Sequence, residues 1–182
     1  MKAYKEEYYK VNESYCTVSQ FSGSGSEKYY KNCGPTAVTN VILTLLGENR
    51  TRDLTPKDIF KAVSGIGTKK LIYWNMDRRF LGGTNDILTP VLVSDSLKKY
   101  GLAGYSVLPA LPAFRKSIDR ALDRGSIILL NVRFHPKYGF HDVILYGRES
   151  GGYRTADGWT STPQILYTSD LKYATFTEIR KK

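Results

Sequence analysis

The sequence predicts an α+β fold on three observations. Helical periodicity is confined to the first two-thirds of the chain, and β-branched and aromatic stretches are concentrated in the last third. Gly125 breaks the chain where the pattern changes. At 182 residues the length suits one domain. The expected organisation is a single domain over 1–182, with a helical half over about 33–124 and a sheet half over about 125–182.

The elements follow in order. The first twenty residues mix tyrosines and charges, and Ser22 to Ser26 reads SGSGS, a composition that cannot hold regular structure. From Pro35, the residues Ala37, Val38, Val41, Ile42, Leu45 and Leu46 recur at helical spacing. Proline stands in the first turn and Gly47 follows the last periodic residue. A second helix starts at Thr55-Pro56, a cap followed by proline, and runs to about Val63. A third is expected over Asn85 to Tyr100, capped by Thr84 and kinked by Pro90, and a fourth over Pro112 to Arg124. Beyond Gly125, Ile127 to Phe134 and His141 to Arg148 read as neighbouring strands joined by the turn-forming HPKYGF. Tyr153 to Ala156 and Ala174 to Ile179 complete the expected sheet.

Composition narrows the function. Hydrophobic residues make 41% and charged residues 24% of the chain, which excludes a disordered or fibrous class. The N-terminus lacks an apolar stretch of signal-peptide length. The longest apolar runs, at Ile127 to Leu130 and Val143 to Tyr146, fall far short of the ~20 residues needed to span a bilayer. The expectation is a cytoplasmic protein. Lys plus Arg is 27 against 17 for Asp plus Glu, a formal charge of +10. The basic residues are scattered doublets such as Lys69-Lys70 and Arg78-Arg79, not a stripe, so no nucleic acid partner is expected. The two cysteines, Cys16 and Cys33, are too few for a disulfide framework and lack zinc-site spacing, so no metal or organic cofactor is expected.

Cys33 stands where a thiol can be activated, immediately before Gly34-Pro35-Thr36-Ala37 and the first secure helix. Unsatisfied N–H groups and the positive end of the helix dipole favour a thiolate there, so a lowered thiol pKa is expected. A small inert core residue is the competing account of a free cysteine. His141 opens a strand, a fixed position at a sheet edge that suits a general base. Period-two alternation puts His141, Val143 and Leu145 on one face, and Asp142, Ile144 and Tyr146 on the other, so Asp142 is not expected to partner the histidine. His135, in the turn beside Pro136, is the competing base and reads as surface. Asp157 ends the strand after the histidine strand, where antiparallel pairing brings it beside His141 and its carboxylate can fix the imidazole tautomer. A turn aspartate before Gly158 is its alternative use.

Three pieces carry a family resemblance: Asn32-Cys33-Gly34-Pro35-Thr36-Ala37, Gly139-Phe140-His141-Asp142-Val143 with the strand ending at Gly147, and Thr155-Ala156-Asp157-Gly158-Trp159. Together they make the chain resemble the papain-like cysteine peptidases, in the branch similar to the peptidases that cut double-glycine leaders from bacteriocins. The resemblance implies a papain-like fold and a Cys33–His141–Asp157 triad that cleaves a peptide or amide bond through a thioester. It also implies a glutamine upstream of the nucleophile as an oxyanion donor. Gln20 is the one glutamine before Cys33, thirteen residues away, with the SGSGS stretch between them. Two alternatives accompany this reading: an acyltransferase that passes the acyl group to an amine, and a catalytically silent papain-like binding module.

Overall fold

The computed structural model describes residues 17–23, 29–47, 54–76 and 83–182, so Cys16 and most of the SGSGS stretch lie outside the described residues. A short helical turn, α1 (Val18–Phe21), precedes the first long helix, α2 (Cys33–Leu46). α2 begins two residues before Pro35. Proline thus falls in the first turn, where backbone N–H groups have no intrahelical acceptor and a missing one costs nothing. Every residue of α2 from Gly34 to Thr44 is buried. A helix buried all round must lie inside the molecule, and its run of Val38, Val41, Ile42 and Leu43 supplies the surface for that.

α3 (Pro56–Lys69) starts where the sequence places it, because Thr55 and Asp58 exchange cap bonds of 3.1 and 3.2 Å. It continues to Lys69, past the expected end at Val63. A two-stranded ribbon follows, β1 (Tyr73–Trp74) against β2 (Gly83–Thr84). Thr84 therefore belongs to a strand and does not cap a helix. α4 (Thr89–Lys99) starts later than expected, with Pro90 in its first turn, so the proline opens the helix and does not kink it. β3 (Tyr105–Val107) and β4 (Leu111–Pro112) come next, and α5 (Arg115–Asp123) begins only after Pro112 has paired in the sheet.

β5 (Ile127–His135), β6 (Gly139–Glu149), β7 (Gly152–Ala156), β8 (Gln164–Tyr167) and β9 (Thr175–Lys181) complete an antiparallel sheet in the order β3-β9-β5-β6-β7-β8, with β4 also on β9. The helical N-terminal part packs on this C-terminal sheet, an α+β architecture. Two short strands, β3 and β4, are contributed by the helical half. Among the described residues no helix is long and apolar enough to cross a membrane.

Alternation along β6 divides the core. Ile144 and Tyr146 face α2, packing with Val38, Val41 and Ile42, while Val143 and Leu145 face the other way, toward Ile118 and Leu122 of α5. One sheet thus carries helices on both faces, and the α2 face is the one at whose end Cys33 stands. The fit of Ile144, 1% exposed, between α2 and its strand neighbours Leu129 and Ala156 sets the seat of that helix. Ile144→Ala is expected to cost about 2–5 kcal/mol, the usual range for emptying such a site. Urea denaturation measures it, and a loss under about 1 kcal/mol would mean that the helix is not held by this packing.

Candidate active site

The first turn of α2 meets the start of β6 at a cleft of about 950 Å³, lined by Cys33, His141, Asp142, Thr84, Phe140 and Trp159 among others. Cys33 is half-buried at the first helical position, as its place before Pro35 implies. Gly34 is required beside it. A methyl group at that position would run into the Thr84 side chain and lie 2.8 Å from Asp142 Oδ2, so only glycine lets β2 and β6 approach the helix start so closely.

The sulfur is engaged with the carboxylate. Cys33 Sγ donates to Asp142 Oδ2 at 3.4 Å, and Asp142 Oδ1 accepts from Asn131 Nδ2 across the β5–β6 pair. Asp142 is 4% exposed and Asn131 1%. Burial pushes the Cys33 thiol well above its ordinary range, and the charge of Asp142 adds to this, although the N–H groups of Asp142 and Gly34 pull the other way. The helix start favours a lowered thiol, and the structure has the opposite balance. A helix terminus contributes at most ~2 kcal/mol. Removal of the sulfur from water beside the buried Asp142 outweighs that, since each unit of titration is only about 1.4 kcal/mol. Asp142 is itself pushed up to about 7, by burial first and by Asp86 second, while the bonds from Asn131 and Cys33 oppose the shift. Asp86 is in turn held by Arg133, at 2.9 and 2.8 Å.

His141, on the opposite side of the β6 alternation, is buried among aromatic rings. Tyr138 stacks with it at 5.4 Å between centroids and Trp159 leans on it at 5.1 Å. Its Nε2 lies 2.5 Å from the main-chain oxygen of Asp157. A carbonyl only accepts, so Nε2 carries the proton and Nδ1 keeps the lone pair. Burial holds the ring below the usual histidine range, partly offset by that bond and by the Asp157 charge. The imidazole is therefore neutral at pH 7, with Nδ1 as its basic nitrogen.

Asp157 meets the histidine through its backbone, and its carboxylate is used nearby. Oδ1 accepts from the N–H groups of Trp159 and Thr160, both at 2.9 Å, and from Thr160 Oγ1 at 3.0 Å. Oδ2 accepts from Tyr138 Oη at 3.0 Å and Lys137 Nζ at 3.4 Å. Burial opposes its ionisation, but the bonds from Thr160, Trp159 and Tyr138 together hold it below the ordinary carboxylate range. The turn-aspartate use is thus present, locking Gly158-Trp159-Thr160, whereas the expected carboxylate–imidazole bond is not: the main-chain carbonyl of Asp157 takes its place at Nε2 of His141.

Gln20 lies on α1, where its Oε1 accepts the Thr17 N–H at 2.7 Å in a capping arrangement that does not engage Nε2. Gln20 is exposed, and its neighbours Val18 and Ser22 line the cleft. His135 turns away from the cleft: its Nδ1 accepts from the N–H groups of Lys137 and Tyr138, and its Nε2 is 3.5 Å from Asp170. The structure therefore brings Cys33 and His141 to one cleft, ties His141 to the main chain of Asp157, and pairs Cys33 with Asp142. The Asp142–Asn131 pair is the part that motif reading passes over. Its signal was present in the alternation of β6, which puts Asp142 with Ile144 and Tyr146 on the helix face. Among the described residues no group of three His, Cys, Asp or Glu side chains is placed to hold a metal ion.

No protein-family model and no curated protein matches this sequence. Among solved structures, the fold is similar to the peptidase domain of Streptococcus ComA, described as a bifunctional ABC transporter involved in a quorum-sensing pathway. The TM-score is 0.50 at 12% identity, over 93% of this chain and all of that domain. The likeness is one of fold: the chain has the α+β architecture of that peptidase domain.

The depressed titration of His141 has a consequence for stability. A histidine whose folded pKa is lowered stabilises the fold above its unfolded value of about 6.5 and loses that contribution as pH falls through the folded value. His141→Gln should flatten the acid limb of the stability–pH curve below about pH 6.5. An NMR titration of the wild-type ring should have its midpoint under 6.5, and a midpoint at or above that value would contradict the burial of the ring.

Proposed function

We propose that the protein is a papain-like cysteine hydrolase, acting as one domain, that cleaves a peptide or other amide bond through a thioester on Cys33. The observation that carries this reading is the convergence of a helix-start cysteine and a neutral, tautomer-fixed histidine on one cleft of a papain-like fold. The similar Streptococcus domain is a peptidase, which favours a peptide as the substrate.

In the proposed reaction, the Cys33 sulfur leaves Asp142 for His141, and Nδ1 takes its proton. The thiolate then attacks the substrate carbonyl carbon, whose π electrons move to the oxygen. When the C–N bond breaks, the imidazolium gives its proton to the departing amine and leaves a thioester. Water, deprotonated by the same Nδ1, attacks the thioester, and the carboxylic acid and free thiol are restored. Asp157 serves in this scheme by holding the Nε2–H and countering the imidazolium charge. The oxyanion donors are the Cys33 N–H and, as the resemblance implies, Nε2 of Gln20.

One observation favours the silent binding module instead: the sulfur bonds Asp142, not the imidazole. A peptidyl epoxide separates the two readings. The hydrolase should be labelled at Cys33, with labelling lost in His141→Ala and hydrolysis of peptide substrates reduced ~10⁴-fold or more in Cys33→Ala. Absence of labelling in a folded wild type would leave the binding module. Gln20→Ala should lower kcat ~100-fold while leaving KM and Cys33 alkylation nearly unchanged, because an oxyanion donor acts on the transition state. An unaltered kcat would assign the donor role elsewhere.

A further inference from the structure

We propose that Asp142 is a positioning residue that stores the Cys33 nucleophile as a thiol, in a buried Cys33–Asp142–Asn131 hydrogen-bond chain that must open before the sulfur can pair with His141. The inference rests on Cys33 being the nucleophile and adds a control that the Cys–His–Asp reading does not contain.

The geometry supplies the argument. The Cys33 side chain donates to Asp142 Oδ2 at 3.4 Å, and Asn131 occupies Oδ1. Asn131 faces Asp142 directly in the β5–β6 register, so the carboxylate is anchored by the sheet and aimed at the helix start. Gly34 gives it the space to reach there. An acceptor-only carboxylate stabilises the S–H form and repels a thiolate, so the contact works against the charge that the helix start favours. The proton balance of release is simple. When a proton from solvent is taken up on Oδ2 of Asp142, or a substrate N–H or O–H occupies that oxygen, the thiol loses its acceptor and can give its proton to His141 Nδ1.

The charged and titratable groups acting on this carboxylate are Cys33 from α2 and Asp86 from the segment after β2, the latter held by Arg133 of β5. His141 precedes it on β6 but points to the opposite face, and Tyr73 of β1 is coupled to Cys33. Asp86 disfavours ionisation of Asp142. That brings its titration near neutrality, where a change of a single proton alters the state of the store.

Asp142→Asn tests the proposal. The asparagine keeps the size and can still accept from Asn131, but it presents N–H donors to the sulfur where the carboxylate presented an acceptor. The rate of Cys33 alkylation by iodoacetamide is followed against pH by mass spectrometry in wild type, Asp142→Asn and Asn131→Ala. Wild-type reactivity should rise only well above the pH of an ordinary thiol. In Asp142→Asn the midpoint should fall by at least about one unit, with ~10-fold faster alkylation at pH 7. Asn131→Ala, which removes a bond favouring the ionised carboxylate, should move it in the same direction by less.

Thermal melts give the second readout. A carboxyl whose folded pKa is raised stabilises the fold below its unfolded value and loses that contribution as pH rises through about 7. The wild type should therefore lose stability between pH 4 and 8 relative to Asp142→Asn. An alkylation midpoint unmoved in both variants overturns the proposal, even if melting changes, because a merely structural carboxylate would alter stability alone. The experiment uses no substrate. Failure of the hydrolase reading would appear in epoxide labelling and peptide hydrolysis, and failure of the store would appear in the alkylation profile.

Discussion

The seat of α2 on β6 is the constraint on which the site depends. Ile144 and Tyr146 on one face of the strand lock into Val38, Val41 and Ile42 of the helix, and this fixes both the height and the tilt at which the helix start meets the strand start. Two features follow at that meeting point. The residue at the first helical position becomes a cleft residue, and the side chain one alternation step before Ile144 is driven against it. Asp142 is that side chain. Its contact with Cys33 is therefore a consequence of the same packing that buries the core, and Gly34 is the local concession that makes the approach possible.

The site holds its two protonatable partners by unlike means. His141 is caged by Tyr138 and Trp159, and its one polar tie is a main-chain carbonyl, so it has little freedom and one defined tautomer. The turn that offers this carbonyl is rigid because the Asp157 carboxylate collects hydrogen bonds from Trp159, Thr160, Tyr138 and Lys137. Cys33, by contrast, is tied to a group that itself titrates near pH 7. The imidazole is fixed, and the state of the thiol depends on its carboxylate partner.

Much of this was legible in the sequence. Pro35, the apolar spacing after it and Gly47 mark α2 within two residues, and Thr55-Pro56 marks the start of α3. The strands of the last third are readable because β-branched and aromatic residues crowd there. What was not legible required tertiary partners. Thr84 looks like a helix cap until Tyr73 claims it for a ribbon, and Pro112 looks like a helix start until β9 pairs with it. β8, with only four residues, carries too short a pattern to stand out beside β7. At the site, residue types and spacing identify Cys33, His141 and Asp157 as candidates. They do not reveal that Asp157 reaches the imidazole through its backbone, since any residue has a carbonyl, nor that burial outweighs the helix dipole at Cys33.

The position of β9 in the sheet has a bearing on how the protein is made. This strand follows all the others in sequence, yet it lies between β3 and β5, with Tyr105 paired to Lys181 and Ile127 to Ile179. Synthesis proceeds from the N-terminus, so the inner edge of β5 stays open on the ribosome until residue 181 has emerged. That edge carries Ile127, Ile128, Leu129 and Leu130, all fully buried in the finished fold. An unpaired apolar strand is a template for association with other chains. Pairings between residues so far apart in sequence also form slowly. The nascent chain thus passes through a sticky, half-closed stage whose duration is set by translation, and holdase chaperones that cover extended apolar strands would act on it then.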